Sequence, residues 1–113
     1  MLSMTSNVKV NMNLCGYITT VEVTAAENGT YNVKIKSACG KVRKFAEDLE
    51  NLDMMDIVDW RNSKILMRMK EGEVGLHCSV PTAVVNAPRL EAGMIALSMA
   101  KKVKGNSWEF TFD

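Results

Sequence analysis

The sequence has little that would tie it to a nucleic acid, a membrane or an oxidising compartment. Its 113 residues carry 14 Lys and Arg against 13 Asp and Glu, so a formal net charge of +1 provides no basic surface for nucleic acid or lipid. No apolar run approaches the roughly 20 residues of a membrane-spanning helix, and the first residues lack the basic start and apolar centre of a secretory signal. We therefore expect a cytoplasmic protein. In that reducing compartment the three cysteines are interpreted first as free thiols or metal ligands, and only second as a disulfide framework.

The first third of the chain has the period-two pattern of β-strands. Apolar residues alternate with polar ones from Val8, and strand character resumes after a bend or bulge at Cys15 and Gly16. Asn28-Gly29 then separates two strand patterns, which predicts a β-hairpin. With 47% hydrophobic residues, this length favours a single domain over residues 1–113.

The middle of the chain changes to helical spacing. An amphipathic helix is predicted to begin at or just after Cys39, with an apolar stripe made of Val42, Phe45, Ala46, Leu49 and Leu52. Asp53 could cap a short second helix that runs through Trp60. Pro81 suits the first turn of a third helix, which Pro88 should kink or split.

The other segments complete the predicted architecture. Residues 63–69 are ambiguous between strand and helix, with helix favoured. Residues 71–75 are predicted as a loop and residues 101–106 as a polar connector. A last strand, at an edge or joining the sheet, is predicted from the alternation of Trp108, Phe110 and Phe112. Strands first and helices later predict an α+β fold, an antiparallel sheet of three to four strands with helices packed on one face.

Two of the cysteines are predicted to be neighbours. Cys15 precedes the predicted turn at Asn28 by thirteen residues, and Cys39 follows it by eleven. Positions that are nearly equidistant from a hairpin turn return to the same end of the sheet. Cys39 would also lie at a helix N-terminus, where orphan N–H groups favour a thiolate.

The third cysteine, Cys78, follows His77 and lies just before the helix that opens at Pro81. Three Cys and one His form the ligand set of a tetrahedral zinc site, or of an iron–sulfur site that lacks a fourth thiolate. Two other interpretations stay open: buried cysteines that only pack, and a Cys15–Cys39 disulfide. A cysteine hydrolase lacks an identifiable residue to orient a base, so we expect no enzyme.

These motifs resemble the NifU/IscU-type iron–sulfur cluster assembly scaffolds. The resemblance rests on Cys15-Gly16, Ala38-Cys39-Gly40 and Leu76-His77-Cys78-Ser79, and it spans about residues 15–92. It implies an IscU-like fold and a [2Fe–2S] cluster, or Zn²⁺ in its absence, held by Cys15, Cys39, Cys78 and His77. It also implies a scaffold or carrier whose partners are a sulfur donor and cluster-accepting proteins.

The chain departs from that family at three places. Tyr17 stands where the family usually has an aspartate, residues 71–75 replace its chaperone-recruiting stretch, and the C-terminal aromatic pattern replaces a helical ending. An uncharacterised family that shares the same Cys/Cys/His-Cys layout is a second interpretation. The alternative function is a non-catalytic interaction domain with a structural zinc or with no metal.

Overall fold

The computed structural model of the protein describes residues 5–59 and 61–112. Its elements, in chain order, are β1 (Thr5–Met12), β2 (Tyr17–Ala25), β3 (Tyr31–Lys36), α1 (Gly40–Phe45), α2 (Met54–Val58), α3 (Lys64–Gly72), α4 (Val80–Glu91) and α5 (Leu97–Val103). The strands form an antiparallel sheet in the order β1-β2-β3. Helix α4 packs against β1 and β2, and α3 contacts both α4 and α1. The predicted α+β fold is confirmed.

The β2–β3 hairpin turns where the sequence predicts it. Gly29 has a φ of 84°, and the backbone N–H of Thr30 donates to Asn28 Oδ1 at 3.2 Å. The register pairs Val23 with Val33, both buried, so the alternating apolar residues share the face covered by α4.

The predicted bend at Cys15 and Gly16 is a full reversal of the chain. Met12 pairs with Tyr17, and the backbone N–H of Gly16 donates to Met12 O at 2.7 Å. Gly16 has a φ of 80°, a conformation that L side chains rarely adopt. The reversal makes β1 an edge strand, paired within the described part of the chain only with β2.

Helix α1 is shorter than its apolar pattern predicts. It ends at Phe45, and Asp48 follows in the left-handed region with a φ of 59°. Leu49 and Leu52 are buried, as the pattern requires, but from an irregular segment outside the helix. Leu52 pairs through its backbone with Tyr31, and this pairing covers part of the outer edge of β3.

Helices α2 and α3 begin close to where the sequence predicts them. Asp53 and Asp56 form a reciprocal capping box for α2, and the predicted end of that helix at Trp60 lies outside the described residues. Residues 63–69 fall largely within α3, which continues to Gly72, so the loop predicted to begin at residue 71 begins later. A Cβ at Gly72 would lie 3.1 Å from Phe45 Cα, so the missing side chain lets α3 approach α1 closely.

The last third of the chain corrects three predictions. Pro88 does not split the predicted helix, since α4 continues from Val80 to Glu91 and the Pro88 carbonyl accepts a hydrogen bond from the backbone N–H of Ala92 at 2.8 Å. The alternative, that Pro88 kinks the helix, stays a prediction. Helix α5 includes part of the predicted connector at residues 101–106. Residues 104–112 form no strand in the part of the chain described, because they pair with no other strand, and they lie at the surface. None of the described helices is long and apolar enough to cross a membrane.

Candidate metal centre

Cys15 and Cys39 lie at the same end of the sheet, as the spacing from the turn predicts. The last β2–β3 pair is Thr20 with Lys36. Continuing that register by three residues places Cys39 opposite Tyr17, which is the first residue of β2 and follows Cys15 by two. The sheet topology therefore supplies two of the candidate ligands from adjacent connections.

Cys15 lies on the turn that joins β1 to β2, and its side chain is exposed. Its backbone N–H donates to Met12 O at 3.1 Å, which holds the turn closed at its base. The thiol is thus presented to solvent from a fixed backbone.

Cys39 is the N-cap residue of α1, with its side chain half-buried against the core. Its carbonyl accepts from the backbone N–H of Arg43 at 3.0 Å, and its own N–H donates to Ser37 Oγ at 3.1 Å. The buried Thr19 hydroxyl donates to the same Ser37 Oγ at 2.8 Å.

This hydrogen-bond chain from β2 fixes the backbone of Cys39, and our sequence reasoning did not find it. The available signal was a serine two residues before a predicted helix start, because Ser and Thr hydroxyls bond nearby backbone groups at such positions. Ser37 and Thr19 are positioning residues for the cysteine rather than ligands themselves.

Cys78 lies between His77 and the N-cap residue of α4, Ser79. Its backbone N–H donates to Gly75 O at 3.0 Å, so the segment before α4 forms a tight turn. The side chain is half-buried and packs at the border of the core.

The pKa of Cys78 depends on its burial and on the charges of the other two thiols. Burial raises the pKa of Cys78, the backbone N–H of Val80 partly opposes this shift, and negative charge on Cys39 and on Cys15 raises the pKa further. Charge repulsion between thiolates of one molecule weakens with distance, so this effect requires proximity. Cys78 is therefore within electrostatic range of both Cys15 and Cys39, which come from segments far apart in sequence.

His77 is exposed, and it lines a groove that Cys15 also lines and Cys78 does not. Its ring occupies the space that a side chain at Gly75 would need. His77 and Cys15 line the same groove, whereas Cys78 lines a smaller hollow of about 360 Å³ between α2, α3 and α4. The two adjacent residues therefore face different hollows.

The candidate ligands do not form a coordination sphere in the described part of the chain. Within residues 5–59 and 61–112, no three or more His, Cys, Asp or Glu side chains form a group that could hold a metal ion. Cys15 and His77 are the exposed members of the predicted set, and both lie in connections rather than in helices or strands.

Comparison with known families places the chain in one of them. Residues 6–104 match DUF6951, which is described as a family of unknown function. The chain belongs to DUF6951. The DUF6951 match includes Cys15, Cys39, His77 and Cys78 and ends before Trp108; its description does not link the chain to the NifU/IscU-type scaffolds. Comparison with curated proteins and with solved structures gave no match.

The raised pKa of Cys78 predicts slow alkylation near neutral pH. A raised pKa leaves less of the reactive thiolate, so the rate with iodoacetamide should rise at a higher pH in the folded chain than in the urea-unfolded chain. Replacing Cys15 and Cys39 together by serine removes their repulsion and should move the folded profile back toward lower pH. Residue-resolved mass spectrometry measures both profiles, and identical folded and unfolded profiles would contradict the expectation.

The raised pKa of Cys78 also makes the stability of the fold depend on pH. The folded chain favours the neutral thiol of Cys78, so this contribution is complete below the pKa of the unfolded thiol. It is lost as the pH rises through the higher pKa of the folded state.

Proposed function

We propose that the protein is a scaffold or carrier that binds a soft metal ion or an iron–sulfur cluster as cargo, through Cys15, Cys39 and Cys78 with His77 as the fourth donor. The observation that supports the proposal is that Cys15 and Cys39 lie at one end of the sheet and that the charge of each raises the pKa of Cys78. A packing role would not require cysteines from different parts of the chain to interact. The proposal assigns binding to these residues and no catalysis.

The donor chemistry favours particular cargo. Thiolates and imidazole select Zn²⁺, Cu⁺ and iron–sulfur clusters over hard cations such as Mg²⁺. The backbone N–H of Val80 bonds the Cys78 sulfur, an interaction that stabilises thiolate ligands and tunes clusters. The donor types of these residues therefore suit a soft metal ion or an iron–sulfur cluster, although their side chains do not form a closed group.

The open arrangement favours a carrier over a permanent metal site. Cys39 is held by Ser37, whereas Cys15 and His77 are exposed on connections. Loading would bring these two exposed donors toward the two half-buried thiols, and release would reverse that movement. A sulfur donor and cluster-accepting proteins are the partners that such a carrier would need.

A second function is favoured by one observation. The alternative is a non-catalytic interaction domain with a structural zinc or with no metal. Because the described side chains form no closed group of ligands, the form without metal suits them better than a structural zinc, which needs four gathered ligands. This alternative keeps the same cysteines but gives them no transferable cargo.

Anaerobic reconstitution separates these functions. The reduced full chain is incubated with Fe³⁺ and sulfide, or with Zn²⁺ alone, then desalted and analysed by visible absorption and metal content. The carrier proposal expects a coloured protein with iron and sulfide in equal amounts, and release of the cargo to a chelator. A colourless protein with one tightly held zinc per chain favours the alternative, and a chain that retains neither overturns the proposal.

A further inference from the structure

The C-terminal residues 104–112, here called the arm, present apolar side chains that the chain itself does not cover. Trp108 is 63% exposed, Phe110 64% and Phe112 90%. Helix α5, which leads into the arm, contains no buried residue and makes at most marginal contact with the other described helices and strands. Exposed apolar surface on this scale marks an interaction site.

The three rings lie on one side of an extended segment. The centroids of Trp108 and Phe110 are 5.3 Å apart, and those of Phe110 and Phe112 are 6.5 Å apart. These separations are close to the repeat of alternate residues in a β-strand, about 6.8 Å. The arm therefore has the form of a strand with an apolar face, but it has no sheet to join in the described part of the chain.

The body of the protein offers the complementary surface. A groove of about 830 Å³ lies along β1, and residues from both faces of that strand line it, Val10 and Lys9 among them. The arm of the same molecule borders this groove through residues that include Trp108 and Phe110. Helix α4 forms its opposite wall through residues that include Leu90 and Arg89. An edge strand with unpaired N–H and C=O groups beside an apolar wall is a template for an added strand.

The buried area matches an exchange of arms. Docking three rings buries roughly 400 Å² of one arm. Two exchanged arms with their two grooves bury roughly 1600 Å², the size of a standard stable interface.

We propose that two copies of the chain form a symmetric dimer in which the arm of each copy lies as a fourth strand on the free edge of β1 in the other. In a twofold arrangement, the arm of each copy covers the free edge of β1 in the other copy, so both surfaces are buried in both copies. In its own molecule the arm borders the groove, yet its rings stay exposed and it pairs with no strand among residues 5–59 and 61–112. A second copy is therefore the occupant that the geometry favours.

The dimer is tested on the reduced, metal-free full chain, so the result does not depend on the proposed cargo. Sedimentation velocity from low micromolar to several hundred micromolar should show a shift from the 12.5 kDa monomer to twice that mass. The Trp108→Ser/Phe110→Ser variant should weaken the dimer by at least roughly 100-fold, because two apolar anchors are lost from each arm. The matched control Met55→Ser/Met67→Ser, at exposed positions away from the groove, should leave the dimer unchanged.

Hydrogen exchange identifies the docking surface. Amides along β1 that face the free edge should become protected as the concentration rises, and this protection should be absent in Trp108→Ser/Phe110→Ser. Circular dichroism checks that this variant is folded. Three results would overturn the proposal: a monomer at all concentrations, a dimer that survives the arm substitutions, or edge protection independent of concentration, which would mean that the arm docks on its own molecule.

Discussion

A chain with Cys39→Ser should bind Zn²⁺ at least roughly 100-fold more weakly than the unchanged chain. A serine hydroxyl is a hard, weakly acidic donor and does not replace a thiolate on a soft metal. Cys39 is also the candidate ligand whose backbone is fixed from two sides, by Ser37 and by the first turn of α1. The loss therefore removes the best-positioned donor, which the exposed residues around it do not replace. Competition with a chromophoric chelator measures the two affinities.

Two controls separate a lost ligand from a lost fold. Serine is close to cysteine in size, so Cys39→Ser should keep the thermal melting temperature of the metal-free chain nearly unchanged. Met67→Leu replaces an exposed side chain on α3 and should keep full affinity for Zn²⁺. If Cys39→Ser and Met67→Leu bind Zn²⁺ equally well, Cys39 is not a ligand.

The position of the cysteine pair could be predicted because it depends on local signals. Asn28-Gly29 determines the turn, and the alternation on either side determines the register. The number of residues between the turn and each cysteine then places Cys15 and Cys39 at the same end of the sheet. The position of Cys78 could not be predicted in this way, because it depends on how α4 packs across β1 and β2.

The packing of α4 also explains how Cys78 reaches the site. Ser6 Oγ, near the start of β1, donates to Glu91 Oε1 at the C-terminal end of α4. The N-terminal end of α4, next to Cys78, is therefore the end directed away from the start of β1. Such a contact joins residues 85 positions apart, and no local pattern encodes it.

The errors in the helical region share one physical cause. The stripe from Val42 to Leu52 has helical spacing, but the helix ends at Phe45, and Leu49 and Leu52 reach the core from an irregular segment. Spacing predicts which residues are buried better than it predicts the backbone that buries them. The alternating aromatic residues that begin at Trp108 show a different limit of sequence patterns. A segment with a strand pattern forms a strand only when another strand pairs with it, and no described strand pairs with this one.

Leu52→Ala should lower the free energy of unfolding by about 2–5 kcal/mol. The Leu52 side chain is 0% exposed, so the substitution removes buried methyl groups and leaves a cavity in the core. Its backbone pairs with Tyr31 at 2.8 Å in both directions, so the surrounding segment is held in place and has little freedom to close that cavity. Urea unfolding followed by circular dichroism measures the change.

Leu76→Ala is the matched control, since it makes the same chemical change at a side chain that is 96% exposed. It removes no core contact, so the free energy of unfolding should change by less than about 0.5 kcal/mol. The comparison also tests whether the segment around Leu52 is part of the core or an attached loop. Equal effects of the two substitutions would show that the pairing with Tyr31 does not anchor this segment and that the outer edge of β3 is open in solution.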